Sequence, residues 1–109
     1  MVRNKVESYL GFAARSRNLI TGYNTCIMMM GKRKVKLLIL SEDLAENTVE
    51  KMLKECKKNK VEYRVFGHSD DLSHITGKSG KGIFGITDKH FAEIICKEID
   101  LIQSEREVF

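Results

Sequence analysis

Proline is missing from the whole 109-residue chain, and nothing in it reads as a linker, a low-complexity stretch or an internal repeat. The expectation is one domain of ordinary size, residues 1–109. No apolar run reaches the ~20 residues that a membrane-spanning helix requires. The opening "MVRNKVESYLGF" lacks the apolar core of a secretory signal. These absences point to a cytoplasmic chain with no membrane partner. Cysteine is scarce: Cys26, Cys56 and Cys96 form no Cys-x-x-Cys pair, and His68, His74 and His90 do not bracket them at metal-ligand spacing. Buried, reduced thiols are expected, with no metal site and no cofactor. Gly-x-Ser-x-Gly and His-Glu-x-x-His are absent too. The acid pairs Glu42-Asp43 and Asp70-Asp71 are adjacent in sequence, so their carboxylates need not face one another. No enzyme is expected.

Acid is nearly absent from the first third. Residues 1–36 hold eight Lys/Arg (Arg3, Lys5, Arg15, Arg17, Lys32, Arg33, Lys34, Lys36) against Glu7 alone. The rest of the chain is slightly acidic, so this third carries all of the net charge of +4. The asymmetry fits either an anionic partner on one face or a merely solvated basic surface.

What is present alternates between helix and strand. Val6, Tyr9, Leu10 and Ala13 mark a helix over 3–15. "NLIT" is a short strand or turn, and 24–31 is a short helix ending at Gly31. "KVKLLIL" is a strand, apolar on both faces at its end and therefore central. Val49, Met52, Leu53 and Cys56 mark a helix over 45–59. "EYRVFG" is a strand, "SDDLSHI" a short helix with Ser69 as its N-cap, and "GIFGIT" a strand. A last helix over 88–103 starts near a cap at Asp88, and the tail "QSEREVF" either extends it or frays. The alternation predicts an α/β/α layered domain around a mostly buried sheet.

"GKSGKG" at 77–82 invites a phosphate-loop reading, but the glycine that the NTP-binding loop needs falls on Leu72. The segment also follows a helix and precedes a strand, the reverse of the required order. It is left either as a loop whose Lys78 and Lys81 approach a backbone phosphate or as a plain connection. Cys26, near a helix start, reads as a thiol of lowered pKa or as a core wall; no His or acid partner can be assigned to it. Met28, Met29 and Met30 cannot all face inward at about 100° per residue, so at least one lies near the surface.

The stretch "TGYNT" carries more. Gly22 permits a close backbone approach or a positive φ. Asn24 either caps the helix with its side chain or reads a base edge, since its amide holds both a donor and an acceptor. A helix N-terminus also favours anions, and in the chain Arg15 and Arg17 precede it while Lys32, Arg33 and Lys34 follow. Tyr23 either stacks on a base or packs. Such a set suits an RNA bulge or bend with exposed base edges.

The run "LGFAARSRNLITGYNT…GKRKVKLLILSEDLAENTVEKMLKEC…VEYRVFGHSDDLSHITGKSGKGIFGITDKHFAEII" resembles the kink-turn-binding ribosomal-protein family, that of archaeal L-seven-Ae and its small bacterial relatives of the YlxQ type. The likeness covers about residues 5–96. It implies a three-layer α/β/α sandwich with a mixed four-stranded sheet. RNA-binding members carry Gly-x-Asn-Glu-x-x-Lys at the turn into the second helix, where Asn, Glu and Lys approach guanine edges of sheared G·A pairs. Gly22 and Asn24 match; Thr25 stands at the Glu position and Met28 at the Lys position. Thr25 can still hydrogen-bond, while Met28 can only pack. The family covers a flipped-out base with apolar residues that correspond to Ile83 and Val49, and a basic residue nearby corresponds to Lys81, beside Gly82.

The resemblance implies non-catalytic binding of structured RNA, a kink-turn or ribosomal RNA, by a monomer associated with ribosomes. Arg15, Arg17 and the run 32–34 would supply phosphate attraction. The competing class is a protein-interaction module of the same fold docking on a ribosome-associated protein. A catalytic thiol at Cys26 ranks last.

Overall fold

The computed structural model describes residues 4–79 and 81–107, with side chains described through Ser104. The element order is α1 (Lys5–Arg15), β1 (Leu19–Thr21), α2 (Tyr23–Gly31), β2 (Leu37–Leu40), α3 (Glu46–Asn59), β3 (Glu62–Val65), α4 (Ser69–Thr76), β4 (Ile83–Ile86) and α5 (Lys89–Glu107). Residue 3, where the first helix was expected to start, lies outside the described residues. Asn4 starts that helix instead, through a capping box: its side chain accepts from the Glu7 N–H at 2.8 Å and Glu7 reaches back to the Asn4 N–H at 3.3 Å. Such a cap stabilises a helix by about 1 kcal/mol.

The four strands form one mixed sheet in the order β1-β4-β2-β3. β4 runs antiparallel to both β1 and β2, and β3 lies parallel to β2 at the edge. β2 and β4 are buried along their whole length, as the apolar end of "KVKLLIL" predicted. Residues 34–36 do not join the strand. Lys34 N–H instead closes the end of α2 on Met29 C=O, and Lys36 N–H makes one bond to Ile86 C=O as the chain enters the sheet.

Period-two alternation divides the core into two layers. Leu37, Ile39, Phe84 and Ile86 face α1, α4 and α5, meeting Val6, Leu10, Leu72, Ile95 and Ile99. Leu38, Leu40 and Ile83 face α2 and α3, meeting Cys26, Met30, Met52 and Cys56. The architecture is thus an α/β/α sandwich with a mixed four-stranded sheet. Arg64 on the edge strand clasps Asp100 of α5 through two hydrogen bonds, at 2.7 and 3.1 Å.

One helix start differs from the sequence reading. Ser69 is not an N-cap: His68 holds that position, and Ser69 begins the helix with its N–H and hydroxyl both donating to the Asp43 carboxylate, at 3.0 and 2.7 Å. The cap thus arrives from a loop 26 residues away, which no local pattern announces. Asp88 does cap α5, accepting from the Phe91 N–H at 2.8 Å. The tail continues that helix to Glu107, and residues 108–109 lie outside the described part.

Gly82 enters β4 at φ +88°, and a Cβ there would collide with Ser41 Oγ and press within 3.0 Å of Leu44. Gly82→Ala is expected to lower unfolding free energy by about 2–4 kcal/mol, from overpacking plus left-handed strain. Chemical denaturation measures it, and an unchanged midpoint would remove this constraint.

Candidate nucleic-acid interface

β1 leads straight into α2 through Gly22, whose φ is +97°. Its N–H donates to Ile83 C=O at 3.0 Å, and its C=O accepts from Cys26 N–H at 3.1 Å. A Cβ at Gly22 would meet nothing within 4 Å, so the backbone angle selects glycine and the space in front is open. α2 therefore begins at Tyr23, one residue earlier than expected. Asn24 sits second in the helix, no side-chain cap forms, and the expected capping role of Asn24 is overturned. The exposed Asn24 amide and the N–H groups of Tyr23, Asn24 and Thr25 bond no described residue. Helix starts leave such donors unsatisfied, with the positive end of the dipole behind them.

This helix end forms one wall of a groove of about 520 Å³. Gly22 and Tyr23 face Leu44 and Ala45 of the β2–α3 turn and Thr48 of α3, with Ser79 and Lys81 from the loop before β4 and Ile83 at its start. Ile83 is only 3% exposed and belongs to the lower core, so it forms a floor. Val49 does not line the groove; it packs half-buried on the same core. Leu44 and Thr48 line the groove on that side. The inward stripe Val49, Met52, Leu53 and Cys56 already places Val49 on the core; Leu44 lies in the turn before α3, where no periodicity marks it.

Charge at the groove mouth is mixed. Lys81 is exposed, at φ +50°. Asp43 also lines the groove, and its carboxyl is held well below the usual range by the Ser69 hydroxyl and then by Ser41, whose own oxygen falls short of hydrogen-bond geometry. Glu42 and Glu46 are exposed beside it, and Asp70 and Asp71 occupy the first turn of α4.

The strand registers separate the expected basic residues from this mouth. Leu19, Ile86, Leu37 and Glu62 lie in one row across the sheet, at the end opposite Gly22 and Ile83. Arg15 and Arg17 precede Leu19, and Lys32, Arg33 and Lys34 follow α2, so all five sit at that far end. Nine helical residues span about 13 Å. Their proximity to Asn24 in the chain is not proximity in the fold. Thr25 and Met28 stay beside Asn24, both exposed, Met28 at 53%; it is the surface methionine that helical geometry required.

Cys26 is fully buried, and burial, then the neighbouring Cys56, pushes its thiol up to about 12. Cys56 rises to about 11 for the same leading cause. A lowered thiol pKa at the helix start is thereby overturned. Among the described residues no group of three or more His, Cys, Asp or Glu could hold a metal ion, and no helix is long and apolar enough to cross a membrane.

Residues 4–100 match the family model described as the ribosomal protein L7Ae/L30e/S12e/Gadd45 family. The chain is similar to the RNA-binding protein YlxQ of Bacillus subtilis (strain 168), at 30% identity over 91 residues, 84% of this chain and 91% of that one. The RNA-binding protein YlxQ of Enterococcus faecium is 30% identical over 92 residues, covering 84% and 87%. Among solved structures, a protein of unknown function from Bacillus halodurans C superposes with a TM-score of 0.86 at 32% identity, covering 90% of this chain and 99% of that one. The Giardia lamblia 15.5kD RNA binding protein shares the fold alone, at 0.74 and 14% identity, covering 95% and 92%.

A raised thiol pKa implies slow alkylation. Iodoacetamide near pH 8 is expected to leave Cys26 and Cys56 unmodified in the native protein and to reach all three cysteines in urea. Rapid native labelling of Cys26, read by mass spectrometry, would restore a reactive thiol.

Proposed function

The chain belongs to the ribosomal protein L7Ae/L30e/S12e/Gadd45 family, and on that premise we propose that it binds structured RNA, a kink-turn or related bend, as a non-catalytic monomer associated with ribosomes. One observation carries the reading. An unbonded Asn24 amide and three unbonded backbone donors stand at a helix start, on the rim of a groove with an apolar floor and Lys81 at its mouth. Those donors suit phosphate or a base edge. The groove suits an extruded base, with Ile83 beneath and Tyr23 and Leu44 at the sides. The names of the YlxQ relatives support the same class of ligand.

Glu42, Asp43 and Glu46 favour a second reading. Acid beside the groove opposes close phosphate approach, and Thr25 and Met28 lack the charges of the family motif. A protein partner with a basic segment would meet the same mouth without that cost. Phosphate contacts give a steep loss of affinity with salt, and a packed protein interface a shallow one.

Asn24→Ala is expected to weaken binding to a kink-turn RNA by about 1–3 kcal/mol and to leave the melting temperature unchanged, because the side chain caps nothing. Met28→Lys is expected to tighten it. Titration and thermal melting read both, and parental affinity in Asn24→Ala would contradict the proposal.

A further inference from the structure

Charge in this fold is divided along the strand axis. The acids of the β2–α3 turn and the start of α4 lie at the end that holds Gly22. The opposite end gathers cations from segments distant in sequence. Hydrogen bonds from Thr87 N–H to Asn18 C=O and from Lys36 N–H to Ile86 C=O knit three of them together. The last turn of α3, with Lys57 and Lys58, arrives beside them because Glu62 pairs with Leu37. Lys36 and Lys89 line one further groove there, together with Glu62, Glu93 and Asp100.

Two observations separate this pole from an ordinary solvated surface. First, among the described residues none of its cations stands in an ion pair. Among the described residues the ion pairs are Arg64 with Glu62 and Asp100, and His68 with Glu42. Glu62 is held by Arg64 at 3.1 Å, and Asp88 is occupied with capping α5. Second, among the described residues the non-glycine ones of positive φ are all basic: Arg17, Arg33, Lys60 and Lys81, at φ 64°, 60°, 56° and 50°. Arg17 follows the C-cap Ser16, Arg33 follows the C-cap Lys32, and Lys60 is itself the C-cap of α3. Helix ends commonly fill this left-handed position with glycine, because a Cβ is strained there. Attraction to the helix dipole accounts for a cation in the last turn, but not for three helix ends each choosing arginine or lysine where glycine fits.

We infer that this pole is a second RNA-binding face, which holds the phosphate backbone of duplex RNA without reading its sequence. Arg17, Arg33 and Lys60 project from three helix ends as its fixed charges, with Lys32, Lys34, Lys57 and Lys58 around them. Flexible lysines and forked guanidinium groups on one exposed end match a row of phosphates. A membrane surface would call for a continuous apolar face beside the cations; the end of α3 reads Lys57, Lys58, Asn59 and Lys60, and the exposed Phe12 of α1 carries the Arg15 guanidinium over its ring at 4.9 Å. The face shares with the proposed function only the class of partner. It lies a helix length from Asn24 and requires no bent feature in the RNA.

The test uses a plain RNA duplex of about 20 base pairs and the full chain. The triple variant Arg17→Gly, Arg33→Gly, Lys60→Gly removes three charges where glycine suits the backbone, so it is expected to melt near the parental temperature. Its log affinity is expected to fall with log salt by a slope shallower by about 2–3 than the parent's, at about 0.7–0.9 per lost contact. Asn24→Ala is expected to bind the duplex like the parent. A second triple variant, Lys34→Gln, Lys57→Gln, Lys58→Gln, leaves every left-handed residue in place and is expected to give the same loss. Parental affinity and slope in both triple variants would overturn the inference. So would a parent that ignores the duplex at low salt and binds anionic phospholipid vesicles instead.

Discussion

A single hydrogen bond sets the geometry of the candidate interface: Gly22 N–H to Ile83 C=O, at 3.0 Å. It fastens the entry of α2 to the first residue of β4, a strand buried on both faces. Because β4 pairs with both β1 and β2, the start of α2 cannot shift without disturbing the centre of the sheet. The positive φ of Gly22 then turns the chain so abruptly that no residue is left to cap the helix with a side chain. The result is a rigid row of free donors, exposed on one side and backed by a close-packed core on the other.

The same sheet topology sorts the charge. Strand direction alternates between β1, β4 and β2, so each helix returns the chain to a defined end. The helices that precede β1, β2 and β3 all finish at one end, and the acidic turn after β2 lies at the other. A molecule of 35 × 32 × 24 Å thereby acquires a basic pole and a more acidic one. The residues expected to read bases and those expected to attract phosphate, mingled in the sequence within residues 15–34, are divided in space.

Much of this is legible in the sequence. Val6, Leu10 and Ala13 at helical spacing gave α1, and the apolar end of "KVKLLIL" gave a central strand, because burial on two faces leaves no polar alternation. What local pattern could not supply was anything decided across the fold. Ser69 reads as a cap until Asp43 arrives from 26 residues away to cap the helix itself. Asn24 reads as a cap until a glycine of positive φ starts the helix ahead of it. Val49 reads as a groove residue in the family pattern, yet the rotation of α3 turns Thr48 outward. Arg15, Arg17 and the run 32–34 read as neighbours of Asn24 because distance along a chain hides the length of α2 between them.

The central claim is that RNA meets this protein at the start of α2. It is tested most directly by following backbone amide resonances while a kink-turn RNA is added. The account expects the largest shifts at Tyr23, Asn24 and Thr25, with Lys81 moving alongside, and their loss when the G·A pairs are disrupted. Shifts confined to the basic pole, unchanged by disruption of those pairs, would contradict it.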